Sequence, residues 1–461
     1  MKLKKLILGT AFLSLTVFAN ADIRVNGYVD YTSTVAAQQI QKKNSSSDWK
    51  SGEVMSEFGE MQNGIQFLNL NANMPNVDFH AAVWIGSGLG PWYGSEGNMM
   101  YPDRTKETVE PGIWDEMFVI THFIDDQLRL YSGVFAGNGW NANYLSYGYV
   151  SAQNHISPLA MRGSTRSADS AFTGIEVLPR GVSGLKFITG LPIAPFNSSY
   201  EKFNNWEHLC KAVKLIAQYK WLLYNVTFNA GIRPNTYGTS AKRADTVNDY
   251  TSSLYGEGFL QADMPSLFYG VLLNANYDLR WRKVSEKGKN LVNGKDWSTT
   301  AFAHIAMASA KFTLIPEWTI CAEEAAAFYD SHYLKKNERA FYNRLGLSAV
   351  HPLPGTPYEF GLQGFFMYGQ DAKGTMVGRD DSYCSDLIGF QWNYMTQGDE
   401  VKPKSGTNGR YFAGYIFPYI QKNFGNGNAK LGVEFNYSHL KAASTVQTFV
   451  WRVPVGLVFW W

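Results

Sequence analysis

From residue 22 onward the chain repeats one pattern: short runs in which apolar and polar side chains alternate one by one. A period of two belongs to a strand, because successive side chains leave a pleated backbone on opposite faces. Ile23, Val25, Val29 and Tyr31 alternate with Arg24, Asn26, Tyr28 and Asp30, and Leu68, Leu70, Ala72 and Met74 with Asn69, Asn71 and Asn73. Val226, Phe228, Ala230 and Ile232 alternate with Asn225, Thr227, Asn229 and Arg233. Leu431, Val433, Phe435 and Tyr437 do so with Lys430, Glu434, Asn436 and Ser438. The chain does not read as helix, so an all-β fold is expected.

The runs are joined in two ways. Short connections, all but Tyr219 to Leu222 containing Gly, Pro, Asn or Asp, fall at Met74-Pro75-Asn76, Asp125-Asp126, Pro179 to Ser183, Tyr219 to Leu222, Pro316-Glu317, His351 to Pro357 and Gly425 to Asn428. Such residues supply the backbone angles of tight turns. Long polar connections fall at about 34–62, 86–112, 136–170, 192–210, 233–264 and 370–408. A sandwich has no reason to sort its loops by length. A single transmembrane antiparallel β-barrel does, with short periplasmic turns and long extracellular loops. About 17 runs can be counted. An even number returns both chain ends to one side, so 16–18 strands are expected, and 18 is the working number. The two ambiguous stretches are 265–299, one long alternating run, and 384–395. No linker divides residues 22–461, which are expected to form one barrel.

Composition narrows the class further. Charged residues are 17% and aromatics 15%, too apolar a mixture for a disordered chain. After residue 21 nothing approaches the ~18 consecutive apolar residues of a membrane helix. Residues 1–21 read as an export signal: Lys2, Lys4 and Lys5 precede an apolar stretch from Leu6 to Phe18, and Ala19-Asn20-Ala21 offers a cleavage site after Ala21. Removing those three lysines leaves 38 basic against 39 acidic residues, a balance that argues against a nucleic-acid partner. Cys210, Cys321 and Cys384 are too few and too scattered for a disulfide framework or a zinc site.

The terminal run, FVWRVPVGLVFWW, puts Phe449, Trp451, Val453, Val455, Leu457, Phe459 and Trp461 in one register. Soluble chains seldom end on exposed aromatics. A last strand whose outer register is bathed in lipid accounts for the run. It resembles the C-terminal assembly signal of bacterial outer-membrane β-barrel proteins, in which the final residue is aromatic and alternate residues before it are apolar. Val453, Val455, Leu457, Phe459 and Trp461 match that pattern position by position. The resemblance is porin-like, without a specific family. It implies an integral protein of the bacterial outer membrane, with outer-membrane lipid and the barrel-assembly machinery as partners and homo-oligomer formation left open.

With apolar registers facing lipid, the opposite registers line a lumen wide enough at this strand number for an aqueous channel. The pore-lining candidates are Arg24, Asp30, Glu116, Arg129, Lys186, Lys214, Arg233, Arg344, Glu359, Glu434 and Arg452, with Asp78, Glu176 and Lys430 in the same registers. In general porins the loop after the fifth strand folds inward and narrows the barrel. The connection 136–170, after a strand read at 127–135, resembles it in position and length and carries His155, Arg162, Arg166 and Asp169. Such groups set size and charge preference at a constriction. Two arginines against one aspartate depart from the acidic loops of many general porins.

Nucleotide-binding glycine motifs, HExxH and CxxC are absent. Asp330-Ser331-His332 are sequence neighbours that do not converge on one reacting atom, and Glu323-Glu324 in a strand point to opposite faces. No enzyme activity, cofactor or metal is expected. Two functions fit: a channel for passive or mildly selective diffusion of small hydrophilic solutes, and a surface-exposed adhesin using the long aromatic-rich loops.

Overall fold

The computed structural model describes residues 22–43, 47–52, 54, 63–84, 113–134, 171–192, 213–236, 249–287, 297–331, 338–371, 409–441 and 445–461. The regular structure among them is entirely β. The strands are β1 (Asp22–Lys43), β2 (Lys50–Ser51), β3 (Asn63–Met74), β4 (Val77–Trp84), β5 (Ile113–Phe123), β6 (Leu128–Val134), β7 (Ala171–Val177), β8 (Leu185–Pro192), β9 (Lys214–Trp221) and β10 (Val226–Thr236). They continue with β11 (Asp249–Phe268), β12 (Val271–Lys287), β13 (Trp297–Phe312), β14 (Thr319–Ser331), β15 (Glu338–Pro352), β16 (Tyr358–Asp371), β17 (Gly409–Phe424), β18 (Gly427–Gly432), β19 (Glu434–Lys441) and β20 (Thr445–Trp460). The expected leader, the stretch 384–395 and the connection carrying His155, Arg162, Arg166 and Asp169 lie outside the described residues.

Every pairing is antiparallel. Each strand from β3 to β17 pairs with the next in sequence; β17 pairs with β18 and β19, and both pair with β20. The last strand then meets the first: β1 pairs with β20 from Tyr28↔Trp460 to Lys43↔Val446, and its other edge pairs with β3. A register shift between Thr34 and Ala36 interrupts the β1–β20 ladder. Trp461 and Gly27 exchange two backbone hydrogen bonds of 3.0 and 3.1 Å, which tie the final residue to the first strand.

The short turns share one edge, because an antiparallel meander alternates its connections. Neighbouring turns are bonded there: His122 N–H donates to Asn76 C=O, Leu178 to Gln127, Lys220 to Gly184 and Thr313 to Gly270. Gly270 has φ +69°, a left-handed conformation that glycine adopts without steric cost.

The structure corrects several sequence expectations. It divides the 20 strands more finely than the expected 16–18, because β2 has two residues and Val433 separates β18 from β19. The stretch 34–62 begins as strand, with β1 running to Lys43. Within 233–264, read as a polar connection, β11 begins at Asp249; Gly256, Gly258 and a polar start mask its alternation. The long run 265–299 is broken by a turn at Tyr269-Gly270 between β11 and β12; β12 ends at Lys287, β13 begins at Trp297, and 288–296 lie outside the described residues. The turn read at Tyr219 to Leu222 lies at 222–225, with Asn225 at φ +50°.

The two faces of the sheet invert the usual order of a soluble protein. On β15 Arg344 and Ser348 are buried while Phe341, Leu345 and Leu347 are exposed; on β16 Gln363 is buried between exposed Leu362 and Phe366. On β19 Glu434, Asn436 and Ser438 are buried and Phe435 is exposed, and on β20 Arg452 is buried while Leu457 and Phe459 are exposed. One face is shielded and carries the buried charged and amide side chains, together with Phe365, Tyr415, Phe417 and Tyr419. The other is apolar and bare. At the short-turn edge the bare face carries Trp221, Tyr224, Tyr269, Trp318, Tyr358, Phe424 and Trp461.

Candidate functional site

The polar face is built strand by strand from side chains that meet across the ladder, as directly opposed residues do. On β4–β8 it holds a charged network. His122 lies 2.8 Å from Asp78 and 2.5 Å from Asp126, through opposite ring nitrogens. Arg129 donates to both Asp126 oxygens at 2.7 and 2.5 Å and to Glu176 at 2.9 Å. Glu176, fully buried, also accepts from Tyr131 at 3.1 Å and faces the Lys186 ammonium at 3.2 Å. The register explains the convergence: His122 opposes Arg129, and Arg129 opposes Glu176. In the turn before β6, Arg129 and His122 hold the Asp126 carboxyl well below the usual carboxylate range, through hydrogen bonds to its charged form.

Next along the ladder the charges give way to amides. Gln218 on β9 donates to Asn229 on β10 at 2.7 Å, and Asn229 donates to Gln261 on β11 at 3.0 Å. Asn276 on β12 opposes Gln261 and continues the row. On β14 and β15 the buried Glu323 and Arg344 form an ion pair. The Arg344 guanidinium stands 5.6 Å from the Phe365 ring centre, beginning an aromatic column. Phe365, Tyr415, Phe417 and Tyr419 follow with centroid separations of 5.9, 6.3 and 5.1 Å. Lys430 caps the column 4.4 Å from the Tyr419 ring centre. Gly361 opposes Tyr419, and a methyl there would lie 2.1 Å from its ring, so the ring occupies space that only glycine leaves open. Beyond it Arg452 donates to Glu434 at 2.5 and 3.1 Å, and Asn436 donates to the same carboxylate at 2.7 Å. Opposite charges sit side by side on a wall, each largely compensated by its neighbour.

The sequence candidates fall into this frame as follows. Arg129, Lys186, Arg344, Glu434 and Arg452 lie within the networks above. Glu359 accepts from Gln421 at 3.4 Å near the short-turn edge. Arg24 is exposed at the start of β1, 2.6 Å from Asp22. Asp30, Glu116, Lys214 and Arg233 share the polar register, opposing Ile65, Ala82, Gly190 and Glu257. The reading from sequence overlooked Glu323 as a partner of Arg344, the amide row, and the aromatic column. For Glu323 the available signal was its registration two residues from Cys321 and Ala325, against the exposed Phe328 register.

No protein-family model matches the chain, and no curated protein matches it. Solved structures do. They include the outer-membrane protein OmpT of Vibrio cholerae in its trimer form, at TM-score 0.40 and 9% identity over 95% of this chain and 99% of that one. The outer-membrane channel DcaP of Acinetobacter baumannii matches at TM-score 0.43 and 9% identity over 96% and 98%. Pseudomonas aeruginosa OpdK, solved with vanillate, matches at TM-score 0.39 and 10% identity over 95% and 99%.

Proposed function

We propose that this chain is an outer-membrane channel through which small hydrophilic solutes diffuse passively or with mild selectivity. The observation that carries the reading is the inverted burial of the sheet: large apolar side chains bare on one face, ionised and amide side chains on the other. A bare apolar face of this extent is stable against lipid rather than water. The pairing of β20 with β1 supports a sheet closed into a single barrel. Leaving out β2 and counting β18 with β19 as one crossing, the 20 strands among the described residues give 18 crossings, an even number that returns both ends to one side. On this reading the short turns are periplasmic, the long connections extracellular, and the leader is cleaved after Ala21.

The polar face then lines the lumen. Its pairs of opposite charge present transverse fields to a solute without a large net charge, which suits dipolar solutes over highly charged ones. Residues 136–170, with His155, Arg162, Arg166 and Asp169, narrow the path. Phe459 and Trp461, at the seam between last strand and first, serve recognition by the barrel-assembly machinery. Purified protein in a planar bilayer should give stepwise single-channel conductance, with a reversal potential in a salt gradient that shifts toward cations in Arg162→Ser/Arg166→Ser. Absence of conductance from folded protein removes the channel reading; an unchanged reversal potential removes the two arginines from the path.

A further inference from the structure

The bare face is interrupted on β12–β15 by a polar, shallow region. Glu324 belongs to the exposed register of β14, because it opposes exposed Leu345 and is flanked along the strand by buried Glu323 and Ala325. It is the sixth of 13 residues in β14. At ~3.3 Å per residue and a tilt of ~45°, that places it about 12 Å from the strand start, midway through an apolar band of ~25 Å. The Asn343 amide on β15 donates to its carboxylate. On the same face, the Tyr277 hydroxyl lies 2.7 Å from His304 Nδ1. The register joins the two pairs: Glu324 opposes Ala308, Phe328 opposes His304, and Tyr277 opposes Ala306. Around them the side chains are short, with Ala275, Ala306, Ala308, Ala322 and Ala326 where other strands of this face present Leu, Ile or Phe.

A carboxylate at that depth is poorly served by acyl chains, and an ionisable group inside a membrane calls for a polar partner. Small residues beside it let another backbone approach closely. We propose that the outer face of β12–β15 is the contact surface for a second copy of this chain. The complementarity is on the face itself. Glu324 and Asn343 lie side by side as acceptor and donor, and a second copy turned about an axis along the membrane normal presents the same pair in reverse order. An amide carries two N–H groups, so each carboxylate can accept from its own Asn343 and from the partner subunit's Asn343.

This inference rests on the membrane-barrel reading, and its test separates the two. The photo-cross-linker p-benzoylphenylalanine replaces Ala308 in the full chain, and irradiation is carried out in intact outer membranes. A product of twice the chain's mass is expected. Adding Ala326→Trp should abolish that product, whereas Leu215→Trp, on the bare face of β9, should leave it unchanged. Heat-dependent gel mobility reports folding of each variant. A chain that never enters the membrane removes both readings. A folded, inserted chain that yields only cross-links to lipid, none, or a product of another mass removes this one alone, as does a doubled-mass product that survives Ala326→Trp.

Discussion

The Glu323–Arg344 pair offers the sharpest test of how the polar face is built. Both side chains are almost completely shielded, at 0% and 1% of their full exposure. Arg344→Met leaves the Glu323 carboxylate without its main counter-charge and removes the cation from the Phe365 ring. Breaking one side of a buried pair costs about 3–5 kcal/mol, because the remaining charge stays desolvated. Glu323→Gln should cost a similar amount by stranding the guanidinium. The double variant Glu323→Gln/Arg344→Met strands neither charge and should lie within about 1 kcal/mol of the parent, since replacing a whole buried pair is often neutral. The coupling in the cycle is then at least about 5 kcal/mol. Urea unfolding of protein folded into lipid vesicles, followed by tryptophan fluorescence, measures all four chains. If each single variant costs under about 1 kcal/mol and the double is their sum, the pair behaves like an exposed one, and the shielding of this wall is refuted.

Deleting Trp461 should lower the amount of folded chain in the outer membrane while export to the periplasm continues, since the deletion removes the two hydrogen bonds to Gly27 as well as the terminal ring; quantitative blotting of membrane fractions checks it. Gly361→Ala should displace the Tyr419 ring and destabilise by about 1–3 kcal/mol, the usual range for overpacking; Gly361→Ala/Tyr419→Leu should recover most of that loss in the same urea assay. Asp126 should make stability fall in acid. Its depressed folded value means the interaction is fully present above the unfolded value of about 3.9 and is lost as pH drops from there through the folded value. Asp126→Asn should flatten that acid limb in unfolding midpoints measured between neutral pH and strong acid.

How much of this was legible beforehand depended on whether the two registers of a strand differ in chemistry. On β3, β10 and β20 they do, and the faces follow from the residues alone: Asn229 against Phe228 or Arg452 against Trp451 leaves little choice. On β17 they do not. Phe412, Ile416 and Ile420 are exposed while Tyr415, Phe417 and Tyr419 are buried, yet both sets are large and mostly apolar. Only the opposed residues decide, since Gln363 and Gly361 lie across from Phe417 and Tyr419. That information is carried by another strand, and a period-two pattern cannot report it. The same holds for Glu323 and Glu324. Alternation sends them to opposite faces, but which carboxylate meets Arg344 and which meets Asn343 is fixed by the offset of β14 on β15, where Ala325 opposes Arg344 and Ala326 opposes Asn343. A slip of one residue in that pairing would exchange the two carboxylates. The inner ion pair and the outer polar contact are therefore two consequences of one register, and a change that disturbs it should move both together.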